Sequence, residues 1–138
     1  MKIVKGGVTK AKGFEAAGVE ANIKYQGRTD MAIIFSKEPC VAAGTFTTNV
    51  AKAAPVTWDQ KIVKEGKVAQ AIIVNSGIAN ACTGAEGYGY CKDTADAAAK
   101  ELGISEDSVL LGSTGVIGKQ LPICLLYTSP SPRDRTRS

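Results

Sequence analysis

Two short stretches of the chain carry residue types that could do chemistry. One is Gly112-Ser113-Thr114-Gly115-Val116-Ile117-Gly118, directly after the apolar run Val109-Leu110-Leu111. In Ser113-Thr114-Gly115 a hydroxyl and a backbone N–H can point at one spot, and the glycine lets a substrate approach the backbone. Fixed donors aimed at a developing negative oxygen are the parts of an oxyanion hole. The competing reading is that the glycines at 112, 115 and 118 only turn the chain after a strand. The other stretch is Asn75-Ser76-Gly77-Ile78-Ala79-Asn80-Ala81-Cys82-Thr83-Gly84. It either binds a ligand through Asn75, Ser76 and Asn80 or uses those side chains to satisfy its own turns, as Asn and Ser commonly do.

Much other chemistry is excluded. The chain has 138 residues and no histidine, which removes Ser-His-Asp and Cys-His catalysis, HExxH zinc sites and Cys2His2 fingers. The 112–118 loop lacks the Lys-Ser/Thr ending of a P-loop and the GxGxxG spacing of a dinucleotide fingerprint. Cys40, Cys82, Cys91 and Cys124 form no CxxC pair, which argues against a zinc ribbon or thioredoxin motif. No metal or cofactor site is expected. Cys40 and Cys82, in apolar or small-residue surroundings, are expected to be packing residues. The first residues lack the apolar stretch of a signal peptide, so the expectation is a cytoplasmic protein with reduced thiols. No apolar run approaches a membrane span, and a net charge of +4 is too small to argue for nucleic acid.

These loops need elements to hold them. Residues 6–22, rich in Gly, Ala and Lys, read as an irregular, turn-rich lead-in. Residues 30–36 read as a buried strand, and 41–48 as a second strand returning on it as a hairpin. Pro55 opens a helix with Trp58, Ile62 and Val63 on one face, and Gly66 stops it. Val68–Val74 is a near-continuous apolar run, which predicts a strand covered on both faces. Gly84, Gly87 and Gly89 read as a flexible lead-in to a helix over 90–102, with Ala95, Ala98, Ala99 and Leu102 inward and Asp93 and Asp96 on a solvated face. Residues 105–108 make a short turn, and 109–111 a further core strand. The alternation predicts an α/β domain, α+β in its layering.

Several strings, taken in order and spacing, resemble the start of the bifunctional ornithine acetyltransferase / glutamate N-acetyltransferase family of arginine biosynthesis. They are Gly7-Val8-Thr9 with Lys12-Gly13-Phe14; Ala16-Ala17-Gly18-Val19; Ala43–Asn49; Lys52-Ala53-Ala54-Pro55-Val56; Val74–Gly77 with Ala79–Gly84; and Ser113–Gly118. The resemblance covers essentially all of residues 1–123. It implies a self-processing precursor cut before a threonine in an Ala-Thr-Met-Leu motif. That threonine then acts as nucleophile, with its own α-amine as base. The acetyl group passes from N-acetylornithine to the threonine and on to glutamate, and bifunctional members also use acetyl-CoA as co-substrate. The family's oxyanion pair falls on Thr114, through its hydroxyl, and on Gly115, through its N–H. The family further implies an assembly of two α and two β chains.

The sequence departs from the family in two ways. Ile78 stands where the family usually has Asn, and no Ala-Thr-Met-Leu is present. The expectation is therefore an N-terminal piece of the α chain, over residues 1–123, that lacks the nucleophile and the β chain and is inactive alone. Residues 124–138 carry three of the four arginines and no lysine. Cys124–Asp134 resembles the translation of a transposase adapter used in sequencing libraries, so 124–138 reads as a non-native, disordered tail. Two rival readings remain. One is a self-sufficient small-molecule-binding module, and the other a truncated reading frame whose open sheet edges make it poorly soluble.

Overall fold

The structure, a computed structural model, describes residues 5–122; the tail expected over 124–138 lies outside the described residues. Four strands form one mixed sheet in the order β1 (Phe14–Val19), β2 (Met31–Val41), β3 (Val68–Asn75) and β4 (Val109–Ser113). β1 and β2 are antiparallel, as are β2 and β3, while β3 and β4 run parallel. Helix α1 (Ala54–Lys64) joins β2 to β3, and α2 (Gly84–Leu102) makes the crossover from β3 to β4. The α+β expectation is met, with both helices on one face of the sheet. There Trp58 and Ile62 of α1 and Cys91, Ala95 and Ala99 of α2 pack on Ala71, Ile73, Val109 and Leu111.

The two helices follow their sequence signals. α1 has proline in its first turn and Gly66, at φ +65, just past its end. α2 ends on Gly103 in the left-handed conformation, whose N–H returns to the Ala99 carbonyl. Its inner face is as expected, with Ala95 and Ala99 buried and Ala98 and Leu102 beside them. Asp93 is exposed, and Asp96 pairs with Lys100 one turn on.

Several expectations are corrected. Part of the lead-in over 6–22 is β1. Its Ala16-Ala17-Gly18 core has weak strand preference, and pairing with Ile34, Ile33 and Ala32 of β2 fixes it instead. Residues 41–48 form no returning hairpin. β2 runs on through Pro39 to Val41, and its two edges are already taken by β1 and β3. Pro39 is tolerated because it sits beyond the last β1 pair and inside the register shift against β3 between Phe35 and Cys40. β3 is covered on one face only. Ala69, Ala71 and Ile73 are buried, while Ile72 and Val74 each keep 40% exposure. Both helices lie on the same side, and no described residue supplies a second layer. α2 begins at Gly84 rather than near residue 90. Tyr88 packs its ring on Trp58 at 5.6 Å, and a side chain at Gly87 would collide with Thr83 and Asn80. The glycine there serves close packing, not flexibility.

Candidate functional site

β3 and β4 end side by side, with Asn75 opposite Ser113, so the two sequence-predicted loops leave the sheet together. They are then sewn into one unit. Thr114 N–H donates to the Asn75 carbonyl at 3.1 Å, Val116 N–H to the Gly77 carbonyl at 3.1 Å, and Ala79 N–H to the Val116 carbonyl at 3.0 Å. Ile78 and Val116 form an isolated parallel bridge. The Ser113 hydroxyl donates to the Ile78 carbonyl at 3.0 Å and accepts from Asn80 N–H at 3.1 Å.

Gly115 is fixed by this arrangement. Its φ is +135, and a Cβ would overlap the Gly77 carbonyl and approach Ile78 N to 2.6 Å. Only glycine fits both the backbone angle and the contact. Thr114 and Gly115 are exposed. Among the described residues, neither the Thr114 hydroxyl nor the Gly115 N–H takes a partner. Two adjacent free donors on a backbone pinned from both sides can face an oxygen that gains charge.

The first loop proves to be a brace. The Asn75 side chain donates to the Ile78 carbonyl at 2.9 Å. Asn80 is 2% exposed. Its amide donates to the Gly87 carbonyl at 2.8 Å and to Cys91 Sγ at 3.4 Å, and accepts from the Thr83 hydroxyl at 2.6 Å. Its carbonyl receives Ala54 N–H at the start of α1. Asn80 thus ties both helices to Ser113, one residue before Thr114. Asn75 and Asn80 serve the chain's own backbone and side chains. A small cleft behind the loops is lined by Asn75, Asn80, Cys91, Thr94, Ser113 and Leu121, among others, and neither Thr114 nor Gly115 reaches it.

Ile78, the departure from the family pattern, is buried in a satellite cluster with Ala21, Ile23 and Leu121. An apolar residue suits that place. Of the cysteines expected to pack, Cys40 is half-buried and Cys82 is exposed at φ +57, because residue 82 turns the chain into α2. Cys91 is the buried one; burial, then the charge of Asp59, push its thiol up to about 12. Among the described residues, no three His, Cys, Asp or Glu side chains cluster as metal ligands.

Two contacts beneath the site escaped sequence reasoning. Trp58 Nε1–H donates to the Val109 carbonyl at 2.9 Å, and the Asp59 carboxylate accepts from Leu111 N–H at 2.9 Å. α1 thereby occupies the outer edge of β4, the strand that delivers Thr114. Burial pushes Asp59 up to about 6, with the Leu111 hydrogen bond pulling the other way. Nothing in the local sequence singles out Asp59. Its proximity to Leu111 is a tertiary fact.

The fold has close counterparts. The family model of ArgJ matches residues 15–130. The chain belongs to the ArgJ family. It is 50% identical over 126 residues to the arginine biosynthesis bifunctional protein ArgJ of Gloeobacter violaceus, a match covering 91% of this chain and 31% of that protein. It is 55% identical over 113 residues to the ArgJ of Thermotoga neapolitana, covering 81% and 28%. The crystal structure of ArgJ from Bacillus halodurans superposes with a TM-score of 0.83 at 39% identity, covering 88% of this chain and 63% of that one. The ornithine acetyltransferase of Mycobacterium tuberculosis, solved in complex with ornithine, gives a TM-score of 0.83 at 45% identity, covering 88% and 65%. The chain thus has the ArgJ α+β fold and spans under a third of the length of these curated ArgJ relatives.

Proposed function

We propose that this chain is the N-terminal part of an acetyltransferase of arginine biosynthesis and supplies that enzyme's oxyanion hole. In this reading the Thr114 hydroxyl and the Gly115 N–H receive the oxygen of the tetrahedral intermediate as an acetyl group leaves N-acetylornithine. The nucleophile is a threonine freed by self-cleavage in the part of the enzyme not contained in this sequence. The acetyl-threonine then passes its group to glutamate, and acetyl-CoA serves as a second donor. The enzyme acts in the cytoplasm as two α and two β chains. The supporting observation is the pair of adjacent, exposed, unpartnered donors on a backbone that only glycine permits.

The chain alone provides donors without a nucleophile, so it turns over no substrate. The test joins residues 1–122 to the remaining length of the Thermotoga neapolitana relative and measures ornithine formation from N-acetylornithine and glutamate. Thr114→Ala in that chimera lowers kcat by about 10²–10³-fold, the usual effect of one oxyanion donor, and leaves KM nearly unchanged. A chimera indifferent to Thr114→Ala refutes the assignment. Turnover by the 138-residue chain by itself refutes its inactivity.

A further inference from the structure

One hydroxyl beneath the candidate oxyanion hole is engaged twice by the chain itself. Ser113 is the last residue of β4, and strand alternation puts it on the side of Val109 and Leu111, the side the helices cover. It is half-buried and lines the small cleft with Asn75, Asn80 and Cys91. Its hydrogen goes to the Ile78 carbonyl at 3.0 Å, and its oxygen accepts the Asn80 N–H at 3.1 Å. Ser113 therefore has no proton to offer an oxyanion. What it can do is hold the exposed residue that follows it, Thr114.

Both of its partners are anchored elsewhere. The Ile78 side chain is buried with Ala21, Ile23 and Leu121, and the Ile78 carbonyl also accepts the Asn75 amide at 2.9 Å. Asn80 is tied to Gly87, Cys91 and Thr83 at the start of α2. The neighbouring backbone bonds, Thr114 N–H to the Asn75 carbonyl and Val116 N–H to the Gly77 carbonyl, prolong the β3–β4 pairing. The Ser113 hydroxyl adds a hold from the helix-covered side. Serine suits the place because one small side chain carries a donor and an acceptor on a single atom. Without that atom the N–H of Asn80, a residue 2% exposed, loses its acceptor. A buried donor left unpaired makes the backbone around it move or admit water.

We propose that Ser113 is a positioning residue for acetyl transfer. Its hydroxyl, held between the Ile78 carbonyl and the Asn80 N–H, sets where the Thr114 hydroxyl and the Gly115 N–H point. This rests on the oxyanion reading of those two donors. Donors for a developing charge must be set to within about 0.5 Å, and a misplacement of about 1 Å costs on the order of 10²-fold in rate. A change at Ser113 thus acts on the transition state more than on substrate binding.

The test uses the chimera with the Thermotoga neapolitana relative, at a temperature where every variant is folded. Ser113→Ala lowers kcat on the order of ten-fold or more and leaves KM nearly unchanged. Ser113→Thr keeps the hydroxyl and a side chain that strands accept, and holds kcat to within about three-fold of the parent. Added to Thr114→Ala, Ser113→Ala costs no more than about three-fold further, because the hydroxyl it aims is already gone. Should Ser113→Ala not fold, Ser113→Cys takes its place, since a thiol keeps the volume and weakens both hydrogen bonds. Full kcat in Ser113→Ala beside an impaired Thr114→Ala overturns the positioning role alone, whereas an unimpaired Thr114→Ala overturns the oxyanion reading and this role with it. Losses that multiply in the double variant, or an equal loss in Ser113→Thr and Ser113→Ala, also overturn the proposal.

Discussion

Asp59→Asn isolates the electrostatics beneath the candidate site. In the folded chain burial raises the Asp59 carboxyl from 3.8 to about 6. The native state therefore holds a proton that the unfolded chain has released across that interval. The resulting stability is fully present below the unfolded value and is lost as pH rises through about 6. A rise of roughly two units, at about 1.36 kcal/mol per unit, sets a ceiling of about 3 kcal/mol, and screening by the solvent this half-buried carboxyl still meets lowers the loss by neutral pH to about 1–2 kcal/mol. Asparagine keeps an oxygen that can accept Leu111 N–H and cannot ionise. Wild type and variant thus differ in this group alone, and other titrations cancel in the difference. The assay is urea unfolding followed by the fluorescence of Trp58, the single tryptophan and the neighbour of Asp59. Measured from about pH 3.5 to 7.5, the stability of Asp59→Asn minus that of wild type grows by about 1–2 kcal/mol, most of it between about pH 4 and 6.5. A difference that stays constant over this range refutes the argument that burial sets the charge state.

Three further outcomes follow from the same contacts. Gly115→Ala meets both an unfavourable φ and the Gly77 backbone, so it destabilises by about 2 kcal/mol or more; it also shifts the Gly77 and Ile78 amide resonances, and an unmoved spectrum contradicts the stitched loops. Asn80→Ala leaves the Thr83 hydroxyl without its acceptor and cuts the ties to Gly87 and Cys91, at about 2 kcal/mol, whereas Asn75→Ala, which loses one hydrogen bond, costs about 1 kcal/mol; the two are compared by urea midpoint. Trp58→Phe keeps a ring in the core and removes the donor to the Val109 carbonyl, at about 1–2 kcal/mol, with faster hydrogen exchange in β4 by mass spectrometry; unchanged exchange there argues against α1 as the cover of that edge.

How legible the molecule is from its residues varies by element. α1, α2 over residues 90–102, β3 and β4 carry strong local signals of proline, glycine, alanine and apolar runs, and they appear where expected. β1 carries none, since Ala16-Ala17-Gly18 becomes a strand only because β2 presents an edge. The hairpin expected over 41–48 fails for the opposite reason, with both edges of β2 already filled. Gly87 is ambiguous by itself, because local reasoning cannot separate a flexible glycine from one that Thr83 and Asn80 leave no room to replace.

The sequence by itself determined the family, through ordered motifs, and that resemblance in turn marked Thr114-Gly115 as the candidate donor pair. It also showed that these 138 residues contribute no histidine. Only the tertiary structure decided that the two loops are one unit, since the parallel pairing of β3 with β4 places Asn75 against Ser113 across 37 intervening positions. Only it turned Asn80 from a candidate ligand into a brace, and brought the Asp59 carboxyl against Leu111 N–H. The physical reason is common to these cases. Propensity acts within a few residues, whereas burial, edge pairing and steric exclusion depend on neighbours that the chain brings together only by folding.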